Sequence, residues 1–173
     1  MDQVRRCLGV ALPLLLLTGL LLTDLLIKAW AATALPGQPA QPLVPGLLAL
    51  QFTLNPGMAW GLLGNLTLGL ALLRLTVGLG LLVVLVRGRT TRRPAVALAL
   101  IGAGALSNSA DGLTRGAVVD YLASPALDVL SRQLSGQPFP IFNGADALVL
   151  TGVLMLLLAP RTGRPTLASG DPL

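Results

Sequence analysis

The chain has 173 residues, 54% of them hydrophobic, and a formal net charge of +5. Only 11% are charged, against about 25% in soluble domains, which is the composition of a membrane protein. All seven acidic residues are aspartates, histidine is absent and Cys7 is the one cysteine. That excludes a histidine general base, a Ser-His-Asp triad, a Cys/His metal cluster and an internal disulfide.

Four segments, 8–30, 66–86, 95–111 and 144–159, approach the roughly 20 apolar residues that span a bilayer. They predict an all-α membrane protein of four transmembrane helices, one domain over 1–160, with a disordered tail over 161–173. The last two segments are short, so their polar ends belong near the interface. Arg5 and Arg6 precede the first segment, Arg87, Arg89, Arg92 and Arg93 separate the second and third, and Arg161 and Arg164 follow the fourth. The positive-inside rule then puts both termini in the cytoplasm and residues 31–65 and 112–144 on the outer side. These short basic clusters carry no interleaved aromatics, so no nucleic-acid partner is expected. A cleavable leader ending near Ala32-Thr33-Ala34 is an alternative for the first segment. Its long apolar core, closed by Asp24 and Lys28, favours a retained span.

Asp24 and Lys28 lie four residues apart on one helical face and can pair. Snorkelling to the interface and a place in a functional site both fit them. Further on, Leu50, Phe52 and Leu54 alternate with Gln51 and Thr53, bounded by Pro and Gly, which predicts a short strand or hairpin. It leads into Asn55-Pro56-Gly57-Met58-Ala59-Trp60. Arg74, inside the second span, must face the bundle or snorkel. After the third span come Val118, Val119, Tyr121 and Leu122, then Ala126, Leu127, Leu130 and Leu134 at helical spacing, an amphipathic helix on the membrane surface.

Asn-x-x-Asp occurs twice, in LSNSADG (106–112) and FNGADA (142–147). Ionisable groups beside membrane spans are functional candidates. Asp146 also reads as a helix-capping carboxylate, with Asn143 as the cap. Asp111 stands at the carboxyl end of its span, where the helix dipole disfavours negative charge, and capping does not account for it. Antiparallel spans bring the two aspartates to one depth. A close pair would hold one proton and titrate as a unit. The charged member takes a proton from water and the acid protonates the carbonyl oxygen, which hydrolyses a peptide without a metal or cofactor. Helix position suggests Asp111 as acid and Asp146 as base. Asn108 and Asn143 would orient the carboxylates or bind substrate backbone, or else make ordinary polar contacts between helices. A proton relay through Asp24, Asp111 and Asp146 in a small transporter is the reading from another class. The broken helices and paired halves of transporters are not apparent.

Asn55-Pro56-Gly57-Met58-Ala59-Trp60, Gly104 to Asp111 with Gly116-Ala117-Val118-Val119-Asp120, and Phe139 to Asp146 resemble the successive motifs of signal peptidase II, the lipoprotein signal peptidase. Asp24 and Lys28 are similar to its Asp-x-x-x-Lys near the end of the first span. The resemblance covers nearly the whole chain in order. It implies a four-helix bacterial membrane aspartyl protease with a small extracytoplasmic β-cradle, cleaving diacylglyceryl-modified prolipoproteins before the lipidated cysteine at the outer face of the cytoplasmic membrane. It implies Asp111 and Asp146 as the catalytic dyad, with Asp24, Asn55, Gly57, Asn108, Asn143 and Ala145 lining or supporting the site. Lys28 and Asp120, from the same motifs, are placed with them. Expected partners are lipid-modified prolipoproteins and membrane lipids, and the expected state is a monomer.

Two residues depart from the family pattern. Ser107 stands where a glycine is usual, and Gly112 where an arginine follows the aspartate. Arg115, from the adjacent turn, is the candidate replacement for that arginine. The segment 121–142 is also longer than the family norm. A relative that binds lipoproteins or lipid without cleaving them is the alternative to an active peptidase.

Overall fold

A computed structural model describes residues 2–57, 66–88 and 90–158, with side chains from residue 9 onward. Met58, Ala59 and Trp60, the side chains of Arg5 and Arg6, and Arg89, Arg161, Arg164 and the tail 161–173 lie outside what it describes. The elements in order are α1 (Asp2–Ala34), β1 (Gln41–Val44), β2 (Leu48–Asn55), α2 (Thr67–Val86), α3 (Arg92–Arg115), β3 (Val118–Ala123), α4 (Pro125–Ser135) and α5 (Gly144–Leu157).

Three of these helices are long and apolar enough to cross a membrane, over Gly9–Ala34, Thr67–Val86 and Arg92–Arg115. α5 is apolar but has 14 residues, about 21 Å at 1.5 Å per residue, short of a hydrocarbon core of about 30 Å. The four expected spans thus correspond to three long helices and one shorter apolar helix among the described residues.

α3 is the centre of the bundle and packs against α1, α2 and α5. Its buried residues are mostly small: Ala95, Ala97, Ala99, Gly102, Ala103, Gly104 and Ala105. Lipid is as apolar as leucine, so helix association in a bilayer relies on close backbone approach at small residues. A Cβ added to Gly104 would strike the Ala145 carbonyl oxygen, and one on Gly152 would come within 2.6 Å of the Ala97 carbonyl oxygen. The large side chains point the other way. Leu15, Leu22, Leu26, Leu72, Leu73 and Leu150 are all exposed, as a lipid-facing surface requires.

The predicted alternation around Phe52 is β2, the middle strand of an antiparallel sheet ordered β1-β2-β3. Thr53 is opposite Asp120 and Asn55 is opposite Val118. β3 is a strand in a segment that is assigned no element from sequence alone. Its signal is the run Val118-Val119-Asp120-Tyr121-Leu122, β-branched and aromatic, between Gly116 and Ser124-Pro125. Gly116 ends α3 in the left-handed conformation, φ 69°, which turns the chain sharply into β3. Leu50, Phe52, Val119 and Tyr121 pack with Ala31 and Leu35 at the end of α1. The sheet therefore sits on one end of the bundle.

α4 is the amphipathic helix that the spacing predicted. Ser124 caps it, accepting from the Leu127 amide at 3.4 Å, with Pro125 in the first turn. None of its residues is buried, and Leu127, Val129, Leu130 and Leu134 are exposed. Asp128 pairs with Arg132 at 2.9 Å and accepts from the Phe139 amide at 3.0 Å, so it ties α4 to the segment leading into α5.

Candidate active site

The sheet end of the bundle gathers the buried polar side chains of Asp24, Lys28, Ser107, Asn108 and Asp111. Lys28 on α1 is completely buried, which rules out snorkelling. Its Nζ lies 3.2 Å from Asp24 Oδ2 and 3.2 Å from Asp111 Oδ2. It also donates to Asn108 Oδ1 at 2.6 Å and to Ser107 Oγ at 3.2 Å. Ser107 Oγ donates in turn to Asp24 Oδ2 at 2.5 Å. A cation and two carboxylates so enclosed are tolerable in a low-dielectric bundle only as a fully hydrogen-bonded set. The serine that replaces the usual glycine is part of that set.

Asp111 is held from three sides. Besides Lys28, its Oδ2 accepts from the Val119 amide at 3.1 Å, and its Oδ1 meets Arg115 Nε at 3.2 Å. Three donors offset the unfavourable position in its helix, so Asp111 has a complete structural explanation. The contact expected of Arg115 is present. A Cβ at Gly112 would lie 2.8 Å from the Ala71 Cβ, so α2 occupies the position that a larger residue would take.

Asp146 opens α5 in a reciprocal capping box with Asn143, as its position predicted. The Asp146 amide donates to Asn143 Oδ1 at 2.9 Å, and the Asn143 amide donates back to Asp146 Oδ2 at 3.2 Å. Asp146 Oδ1 accepts from Asn108 Nδ2 at 2.8 Å. Asn143 Nδ2 reaches Asp120 Oδ1 at 2.6 Å and also the Asn108 Oδ1 and Val119 carbonyl oxygens at 3.2 and 3.3 Å. Asn55 Nδ2 supports Asp120 Oδ2 at 3.1 Å, while its own Oδ1 accepts from the Gly57 amide at 3.0 Å. Arg74 faces the bundle, with Nη2 3.3 Å from the Gly57 carbonyl oxygen.

A cavity of about 230 Å³ opens among these groups, lined by Asn55, Arg74, Asn108, Asp120, Phe142 and Asp146. A larger one, about 590 Å³, shares Asn55 and Asp120 with it and runs past Gln51 and Thr53 on β2 to Asp128 and Arg132 on α4. Asp111 lines neither cavity. The expected dyad of Asp111 and Asp146 is therefore not what meets in the cavity; Asp120 and Asp146 do. Ala145 is buried against α3, and Gly57 lines the smaller cavity.

Burial pushes the Asp120 carboxyl up to about 6, and the charge of Asp146 adds to the rise. Hydrogen bonds from Asn55 and Asn143 and the charge of Lys28 oppose it. Burial, followed by the charge of Asp24, also pushes the Tyr121 phenol well up, so it remains a hydroxyl. The site thus presents two carboxylates on one cavity, with the proton affinity of Asp120 raised, within a network of amide donors.

A family model described as Signal peptidase (SPase) II matches residues 16–160. A "Lipoprotein signal peptidase" of Deinococcus radiodurans is 42% identical over 148 residues, which is 85% of this chain and 78% of that one. One from Synechococcus sp. (strain RCC307) is 37% identical, covering 84% of this chain and 91% of that one. Two solved structures of a bacterial membrane enzyme, obtained by the in meso method at 2.3 and 1.9 Å, superpose with TM-scores of 0.71 and 0.69. Each is 25% identical and covers 86% of this chain, and 87% and 92% of the solved chains respectively. The chain belongs to the signal peptidase II family.

Proposed function

We propose that the protein is an aspartic endopeptidase that removes signal peptides from diacylglyceryl-modified prolipoproteins, cleaving before the lipidated cysteine, with Asp120 and Asp146 as its dyad. The observation that carries this reading is that both carboxylates line one cavity and are joined by Asn143. The names of the relatives supply the substrate class. Asp111 becomes a positioning residue, holding the Val119 amide next to Asp120.

In this reading the scissile carbonyl lies between the two aspartates. Asp146, whose oxygens both accept hydrogen bonds, takes a proton from water as that water forms a bond to the carbonyl carbon. Asp120 gives its proton to the carbonyl oxygen, yielding a neutral gem-diol. Collapse of the diol breaks the C–N bond. The leaving nitrogen receives the proton held by Asp146, Asp120 recovers the hydroxyl proton, and the dyad returns to its starting state. Asn55 and Asn143 hold the Asp120 carboxyl in place throughout.

The two cavities suit a substrate that straddles the interface. The smaller is lined in part by span residues Arg74, Asn108 and Asp146 and receives the membrane side of the scissile bond. The larger draws on the sheet, α4 and the segment leading into α5 and receives the polypeptide beyond it. α5 serves as the fourth span, both termini face the cytoplasm, and the dyad faces outward in the bacterial cytoplasmic membrane, as the arginine clusters support. A monomer suffices for this chemistry, because every residue invoked in the site comes from one chain.

Incubation of the purified protein with a diacylglyceryl prolipoprotein tests the activity. Wild type should convert it to the mature form, while Asp146→Asn should bind and leave it intact. Binding without conversion by wild type would favour the non-cleaving alternative.

A further inference from the structure

We infer that Tyr121 is a positioning residue whose hydroxyl couples the strand carrying Asp120 to the helix carrying Asp146 and sets the spacing of the two carboxylates. The inference rests on the dyad proposed above. Side chains alternate along a strand, so Asp120 faces the cavity and its neighbour Tyr121 faces the bundle. There the hydroxyl accepts from the Gly144 amide at 3.1 Å and donates to Asp24 Oδ1 at 3.3 Å. Gly144 is the first residue of α5, two positions before Asp146.

The junction is buried and tightly fitted. Tyr121 is 4% exposed, and a Cβ on Gly144 would lie 2.6 Å from Asp24 Oδ1 and 2.8 Å from the Tyr121 hydroxyl. Glycine is required there by close approach rather than by backbone conformation. Asp24 is itself fixed by Ser107 and Lys28, so the hydroxyl is bonded to an anchored partner. Backbone bonds between Leu122 and Phe142, at 2.8 and 2.9 Å, tie the same two segments. They act along the strand, whereas the hydroxyl acts on the start of α5. Catalysis is sensitive to displacements of about 1 Å, which cost on the order of 100-fold.

Tyr121→Phe keeps the ring and removes the bridge. Its kcat on a lipidated prolipoprotein should fall about 10- to 100-fold, with KM within about twofold. The Asp120 carboxyl, followed by infrared titration, should lose its proton at lower pH, because a looser pair feels less of the Asp146 charge. Gly144→Ala should act in the same direction, and the double variant should be no worse than the poorer single one, since both break one junction. Wild-type kcat and titration midpoint in Tyr121→Phe, with only a lower melting temperature, would overturn the inference, as would additive losses in the double variant. Failure of the underlying dyad gives a different result, cleavage retained by Asp120→Asn.

Discussion

Asp120 and Asp146 are joined by a single asparagine: Asn143 donates its side-chain amide to Asp120 at 2.6 Å and its backbone amide to Asp146 at 3.2 Å. One residue thus bridges both carboxylates from the end of the segment that joins α4 to α5. Asn143 is fully buried, and its geometry is set by the capping box that opens α5. The cap of α5 and the bridge between the carboxylates are the same residue.

The proton on Asp120 should be observable. Its carboxyl is pushed up to about 6 from an ordinary 3.8, so an infrared carboxylic-acid band should persist to about pH 6 and vanish in Asp120→Asn. The midpoint should move down in Asp146→Asn, which removes a neighbouring charge, and up in Asn55→Ala, which removes a donor to the ionised form. Between 3.8 and about 6 the folded protein holds a proton that the unfolded chain has lost. This group's contribution to stability therefore falls as pH rises through that window. A midpoint near 4 in wild type would contradict the assignment.

Lys28 is the shared cation of Asp24 and Asp111. Lys28→Met keeps much of the volume but leaves two buried carboxylates without their counter-charge. A loss of about 3–5 kcal/mol is expected for breaking such a set from one side, measured by thermal or denaturant unfolding in detergent. A variant as stable as wild type would show that the set is not coupled as described.

Gly104 marks where α3 and α5 touch. In Gly104→Ala the new methyl strikes a backbone oxygen, which cannot rotate away, and overpacking of this kind costs about 1–3 kcal/mol. Because Ala145 is the contacted residue, cleavage should fall along with stability. Unfolding and initial rates measured on one preparation check both effects, and wild-type values would place the close approach elsewhere.

Arg115 is partly exposed, with 43% of its side chain accessible, and Asp111 keeps Lys28 and the Val119 amide without it. Arg115→Ala should therefore lower kcat/KM by less than about tenfold, the scale of a screened surface pair. Gly112→Arg should lower stability, because the new side chain meets Ala71 on α2. A gain of activity in Gly112→Arg would contradict this packing.

Much of the architecture is legible in the sequence because it depends on local pattern. Apolar run lengths locate the helices, alternation around Phe52 locates β2, and Asn143 and Asp146 announce the start of α5. The pairing of Asp24 with Lys28 follows from their spacing alone. The choice between Asp111 and Asp120 is different, since it turns on partners supplied from elsewhere in the chain. Asp111 is an unexplained charge at a helix end until Lys28 from α1 and the Val119 amide from β3 are seen to satisfy it. Asp120 reaches the cavity only through the pairing of β3 with β2, where it lies opposite Thr53. The duplicated Asn-x-x-Asp pattern reports depth in the membrane, whereas the run Val118-Val119-Asp120-Tyr121-Leu122 carries the strand signal that turns one carboxylate inward.

The most direct test compares three substitutions in one assay. Cleavage of a diacylglyceryl prolipoprotein should fall at least about 1,000-fold in Asp120→Asn and in Asp146→Asn, the scale of losing a general acid or base together with its coupled partner. Asp111→Asn should melt at lower temperature yet retain measurable cleavage at temperatures where it remains folded. Inactive Asp111→Asn beside active Asp120→Asn, both folded, would contradict the central claim and return the dyad to Asp111 and Asp146.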